Sequence, residues 1–270
     1  MTERVLDWRD RRKWLMAVPR YASQVLTSDV RKFIEDQRPK CWSDDLNWLP
    51  DHKELLPAFS EKLWSYYTHA KAFHGCRPET LATYFEHGLQ GQNPERILQQ
   101  FRALYADLPP AVLERAIKRM SGRGADERGS IWLSTDDKQM IRDHGHYIIS
   151  GSEYLLSLAA HIVTGDPWGE DYRLRLRNVG IPTILEINIP VALIPSSERL
   201  AGARVILSHW GQRRARKLLG SSSSPGYRLR TDLPPECIKA HYHPARIVDR
   251  HTTYGRYENR QLICELCEPG

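Results

Sequence analysis

The sequence predicts an α+β fold, and three observations carry that prediction. The first half holds apolar residues at helical spacing, as in Trp14, Leu15 and Val18 or Ile97, Leu98, Phe101 and Leu104. The second half holds short strand-like runs. The clearest is 182–190, where Leu185, Ile187 and Ile189 alternate with Glu186 and Asn188. Strands and helices do not alternate strictly, which argues against a doubly wound parallel sheet.

Taken in order, residues 1–68 read as a helical N-terminal cap or subdomain, with Val30, Phe33 and Ile34 continuing the apolar spacing. Asp44, Asp45, Asp51, Pro50 and Pro57 interrupt that pattern. Residues 69–270 form the main α+β domain. An apolar approach, Ala72 and Phe73, reaches His74-Gly75. A short helix is expected next, with Pro78 at its first position, Leu81, Tyr84 and Phe85 on one face and Gly88 at its stop. Two helices follow over 94–105 and 110–120, the second apolar at Val112, Leu113, Ala116 and Ile117. Residues 121–129, rich in glycine and charge, read as a flexible loop.

Residues 130–135 read as a strand, with Asp136 and Asp137 suited to a helix start. Residues 146–150 are a second strand candidate. Residues 153–163 read as a helix with Leu155, Leu158, Ala159 and Ile162 inward. Residues 203–207 read as another strand, 207–219 as a basic helix closed by Gly220, and 221–226 as a serine-rich loop. A last β region runs from 227 to 242 and on towards 248. No internal repeat is visible.

Composition narrows the functional classes. Hydrophobic residues make up 41% of the chain and charged residues 27%, as in ordinary soluble proteins. No uncharged apolar run approaches the roughly 18 residues of a membrane span, and the N-terminus lacks an apolar signal core. Five cysteines in 270 residues are no disulfide framework, so a reducing, cytoplasmic location is expected. Net charge is +6. Between Arg199 and Arg230 there are eight basic residues and no acidic one, with Arg213, Arg214, Arg216 and Lys217 clustered. Such a patch suits either a solvated helix face or phosphate contacts, RNA or DNA included.

Glycine beside histidine at a strand end lets a ligand approach the backbone. The His74-Gly75 strand, the 129–135 segment (Gly-Ser-Ile-Trp-Leu-Ser-Thr) and the tyrosine-bearing stretch behind it resemble the ADP-ribosyltransferase superfamily in order and style. The nearest likeness is to its diphtheria-toxin-like, histidine-first branch, which includes poly(ADP-ribose) polymerases and NAD-dependent RNA 2′-phosphotransferases. The resemblance spans 70 to about 245. It implies a split β-sheet with NAD, as substrate, in its cleft.

By that resemblance His74 hydrogen-bonds a ribose hydroxyl, the Gly75 backbone holds the nicotinamide amide, and Arg77 either meets the pyrophosphate or is a surface charge. Trp132 stands where the family usually has tyrosine, with Ser134 behind it. A flat ring needs only a π face to stack on nicotinamide. Tyr147 and Tyr154 are both candidates for the opposite wall. The catalytic carboxylate is expected at Glu236, in Asp-Leu-Pro-Pro-Glu, with Glu153 as competitor. A fixed carboxylate offsets the positive charge that develops as the nicotinamide–ribose bond breaks.

The implied activity is transfer of ADP-ribose to a macromolecule, with a toxin or defence function in view. The alternatives are a non-catalytic nucleic-acid-binding module on the same fold and an RNA 2′-phosphotransferase using Arg77, Arg228 and Arg230.

Other constellations compete. Cys264 and Cys267 are half of a zinc site that His144 and His146, or His241 and His243, could complete. They read instead as two reduced surface thiols, so no metal is expected. Cys76 beside His74 lacks a third orienting group for thiol catalysis. Neither a Gly-x-x-x-x-Gly-Lys nor a Gly-x-Gly-x-x-Gly phosphate motif occurs.

Overall fold

The computed structural model describes residues 3–37, 45–164, 169–215, 224–251 and 255–267, leaving aside the side chains of 37 and 124–126. In chain order, β1 (Val5–Leu6) precedes α1 (Arg11–Tyr21), α2 (Ser28–Gln37), α3 (His52–Tyr66) and β2 (His69–Cys76). Helices α4 (Ala82–His87), α5 (Pro94–Leu104), α6 (Pro110–Arg119) and α7 (Ser121–Glu127) lead to β3 (Ile131–Ser134). Then come α8 (Asp137–Asp143), α9 (Gly145–Ser150), α10 (Glu153–Ala160) and β4 (Thr183–Pro190). Helix α11 (Ser196–Arg214) precedes β5 (Gly226–Leu229), β6 (Ile238–Tyr242), β7 (Arg246–Val248) and β8 (Arg256–Glu258). The fold is α+β.

Local chemistry explains most helix starts. Pro94 and Pro110 occupy first positions, where a missing N–H costs nothing. The Asn93 side chain accepts from the Arg96 amide at 3.1 Å, and Ser152 accepts from the Leu155 amide at 3.2 Å. Gly88 ends α4 at φ 77° and ψ −168°, a conformation open essentially to glycine alone. Pro57, expected to interrupt, lies inside α3, and Pro78 lies outside any helix.

The main sheet has the order β5-β3-β2-β4-β6, with β1 parallel to β2 through Val5–His69 and Leu6–Ala70. Strands β4 and β6 are antiparallel, from Ile184 opposite Tyr242 to Ile187 opposite Ile238. Strands β7 and β8 form a separate antiparallel ribbon. On β4 the two polar positions differ, Asn188 being buried and Glu186 partly exposed, as suits an interior strand.

The chain divides into two compact units, Met1–Ala72 with Ser134–Asp136 and Asn188–Arg228, and Phe73–Leu133 with Asp137–Ile187 and Leu229–Gly270. In the first, α3 packs on α11, and the Trp64 indole donates to the Arg199 carbonyl at 2.8 Å. The N-terminal helices therefore share their unit with a helix some 130 residues later, which a linear boundary at 68 does not capture. In the second, Phe101, Tyr105, Leu113, Leu155 and Leu158 anchor the larger core. A smaller core joins Phe73, Met140, Ile148, Ile149, Ile184 and Ile247. Each large apolar side chain so buried contributes about 1.5–3 kcal/mol.

Three segments differ from the sequence expectation. Residues 146–150 are helix α9, because Ile148 and Ile149 bury into the Phe73 core from a helical turn. Residues 203–207 lie inside α11, where Ala203, Ile206 and Leu207 are buried. Residues 121–127 form α7 rather than an open loop.

Candidate functional site

Strand β2 lies beside β3, and this adjacency builds the site's first contact. The Nδ1 of His74 sits 3.1 Å from the Trp132 carbonyl. A carbonyl only accepts, so Nδ1 carries the proton and Nε2 is left as an acceptor. Burial lowers the His74 pKa, partly offset by that same bond, so the ring is neutral at pH 7. On Gly75, an added Cβ would stand 2.8 Å from Ile148 Cγ1 and 3.0 Å from Met140 Sδ. The glycine thus admits Met140 of α8 and Ile148 of α9 against the strand.

Trp132 is 48% exposed, and its indole Nε1 donates to Glu127 Oε2 at 3.0 Å. Glu127 closes α7, whose Arg123 pairs with Glu153 and donates to Ser157 at 3.2 Å. The Tyr147 hydroxyl donates to the other Glu153 oxygen. Both carboxylate oxygens are therefore held. Burial would raise the Glu153 pKa, but the Tyr147 and Arg123 bonds outweigh it and the net shift is downward. Tyr147 moves the opposite way, pushed up by burial and then by the Glu153 carboxylate. His146 stacks on Tyr147 at 4.3 Å between centroids, with His251 5.6 Å from His146. Glu127 acts electrostatically on both Arg123 and Tyr147. Trp132, Glu127, Arg123, Glu153 and Tyr147 thus form one connected group, to which His74 is tied through the Trp132 carbonyl.

Other expected site residues lie elsewhere or are already engaged. Arg77 donates from Nε to the Val179 carbonyl at 2.7 Å, and from Nη1 to the Ile149 carbonyl at 3.1 Å and the Tyr257 hydroxyl at 3.2 Å. Its Nη2 donates to the Arg177 carbonyl. The guanidinium clamps four groups of its own unit instead of facing a pyrophosphate. Tyr154 is 4% exposed and packs within the larger core. The Ser134 hydroxyl is engaged with Asp136, donating to its carbonyl at 3.0 Å. Glu236 is exposed on the Pro235–Cys237 3₁₀ turn, which packs against α4. The Cys76 thiol is buried and pushed up to about 12, which disarms it as a nucleophile.

Among the basic cluster, Arg213 and Arg214 are exposed at the end of α11, and Arg214 pairs with Glu35. Arg216 and Lys217 lie outside the described residues. Arg230 donates to the Arg128 carbonyl at 2.9 Å. His144 and His146 pack with Tyr147, whereas His241 and His243 meet Cys264 and Cys267.

No protein-family model, no curated protein and no solved structure matches this chain. Among the described residues, no helix is long and apolar enough to cross a membrane.

Sequence reasoning missed Arg123 and Glu127, and it singled out His146 only as a possible metal ligand. The Arg123–Glu127 spacing of four residues, which puts both on one helix face, was the available signal. It was masked by Gly122 and Gly124, which read as a loop.

Proposed function

We propose that the chain is an NAD-consuming ADP-ribosyltransferase that works on a macromolecular acceptor. The observation carrying this reading is the His74 Nδ1 contact of 3.1 Å to the Trp132 carbonyl, which leaves Nε2 to accept from a ribose hydroxyl. The exposed Trp132 ring supplies one flat face for nicotinamide, and Tyr147, whose ring already packs against His146, is the candidate for the other.

Glu153 is the better supported carboxylate, because its lowered pKa keeps it ionised and Tyr147 and Arg123 fix both oxygens. In the reaction the ribose–nicotinamide C–N bond breaks, and nicotinamide leaves with the bonding pair. The acceptor nucleophile then bonds C1 of the ribose and releases its proton. A preorganised carboxylate lowers the barrier by offsetting the cationic character of that carbon.

The test is release of labelled nicotinamide from NAD by the purified protein, with RNA, DNA and protein acceptors supplied in turn. Release is expected with at least one acceptor class, reduced about 10²-fold or more in His74→Ala and in Glu153→Gln. No release with any class, or full activity in both variants, overturns the reading.

A further inference from the structure

The C-terminal segment brings two cysteines onto the histidines of β6 and its exit. Cys264 Sγ lies 3.4 Å and Cys267 Sγ 3.5 Å from His241 Nε2, and the two sulfurs are 3.7 Å apart. One ligand atom from each of His241, His243, Cys264 and Cys267 falls within 4.8 Å of the others. Two sulfurs at about 2.3 Å and two imidazole nitrogens at about 2.05 Å around a tetrahedral ion give edges of about 3.8 Å for S–S and about 3.5 Å for N–S. The observed edges, 3.7 Å between the sulfurs and 3.4 and 3.5 Å from nitrogen to sulfur, match that geometry, and a disulfide, at about 2.05 Å, does not.

His243 supplies an independent sign. Its Nδ1 donates to the Pro182 carbonyl at 3.1 Å, so Nε2 bears the lone pair. That Nε2 is buried and has no hydrogen-bond partner. Metal-ligating histidines are oriented in this way, by a carbonyl on the other ring nitrogen. An apolar site would leave the orphaned nitrogen a net cost, whereas an ion there satisfies it.

The segment itself needs such a fastening. Beyond Asn259, whose amide donates to the Ala245 carbonyl at 2.9 Å, residues 259–264 form no helix or strand. Leu262, Ile263 and Leu266 are 47%, 72% and 40% exposed, so no apolar core holds them. Within it, the Cys267 amide donates to the Cys264 carbonyl at 3.1 Å and the Cys264 amide to Cys267 Sγ at 3.4 Å. This compact turn presents both sulfurs on one side.

We propose that His241, His243, Cys264 and Cys267 form a structural zinc site that staples the C-terminal segment to β6 and to the entry of β4. Two thiolates and two imidazoles favour zinc over hard cations, and four protein ligands close the coordination sphere, leaving no position for substrate. On binding, each thiol gives its proton to solvent. The site stands whether or not NAD is the substrate, since its readout is metal content.

The test uses the full chain, produced with zinc and purified under reducing conditions. Elemental analysis is expected to give about one zinc per chain, falling to below about one tenth in Cys264→Ser/Cys267→Ser and unchanged in His144→Ala. Should the double variant fail to fold, alkylation of the wild type decides. Cys264 and Cys267 are then protected in zinc-loaded protein and labelled after chelation. Metal-free wild type, a Cys264–Cys267 disulfide in its place, a full equivalent retained by the double variant, or labelling that ignores chelation overturns the proposal.

Discussion

Replacing Arg77 by methionine keeps most of the stem and removes the guanidinium, and the structure sets the size of the effect. Three backbone carbonyls, those of Ile149, Arg177 and Val179, lose a charged donor, while the Tyr257 hydroxyl can turn to another partner. The bonds are partly buried, so each abandoned carbonyl costs about 1 kcal/mol, the low end of the range for unsatisfied acceptors. The sum is about 3 kcal/mol, equivalent to a Tm drop of about 6–12 °C in a domain of this size. Arg77→Lys recovers little, because one ammonium cannot reproduce a planar fork aimed at separate acceptors. Urea unfolding of wild type and both variants, with the m-value as a check on the denatured state, measures this directly. A loss below about 1 kcal/mol, accompanied by weakened NAD binding, would refute the clamp and return Arg77 to the pyrophosphate.

Two glycine substitutions separate yielding from unyielding neighbours. Gly75→Ala meets the side chains of Ile148 and Met140 and should cost about 1–3 kcal/mol, whereas Gly88→Ala puts Cβ 2.0 Å from the Leu233 carbonyl in a glycine-only conformation and should cost at least about 3 kcal/mol. Thermal melts rank them, and the reverse order would contradict the packing described. The folded Glu153 has a pKa below the ordinary 4.5, so the unfolded chain binds its proton first. Its stabilisation is present above pH 4.5 and is lost as pH falls through the lowered value, so the stability gap between wild type and Glu153→Gln should close on acidification. For His74 the lowered pKa means that the unfolded chain also protonates first, and stability declines as pH falls below 6.5. The acid limb of nicotinamide release should accordingly lie below pH 6.5, and a limb at or above that value would exclude the neutral-ring assignment.

Local signals read correctly where they were redundant. Helices α5, α6 and α10 each combine helical apolar spacing with a starting proline or a polar cap, so two independent physical terms agree. Strand β4 was legible because its apolar alternation is bounded by prolines at 182 and 190. The misses fall where one term stood alone. Tyr-Ile-Ile at 147–149 has the β-branched character of a strand, and a run of five cannot separate strand from buried helix. The packing of Ile148 over Gly75 decided in favour of helix. In α11, residues 202, 203 and 206–211 are buried, so no single apolar face marks the helix.

The candidate site divides along the same line. The segments carrying His74 and Trp132 were legible as strands, and the contact between the two residues uses a backbone carbonyl that is available whatever the side chain. Arg77 was not, because its meaning depends on carbonyls 72 to 102 residues away that no local pattern announces. The choice between the two histidine pairs for Cys264 and Cys267 is likewise non-local. Spacing treats them alike, and only the antiparallel pairing of β6 with β4, which sets His241 opposite Leu185 and brings His243 to Pro182 and Thr183, distinguishes them.

For the carboxylate, order along the chain and electrostatics point to different residues. Glu236 matched by position and phrase, yet it stands exposed on a short turn. Glu153 matched neither and is gripped by an arginine and a tyrosine, an environment that fixes an anion in place, as the proposed reaction would require. The same grip limits Glu153. Part of its charge is already offset by Arg123, so in the proposed reaction a ribose cation would compete with a guanidinium that Glu127 also attracts. Tyr147, by contrast, would give up only a hydrogen bond, and its ring is held between Glu153 and His146.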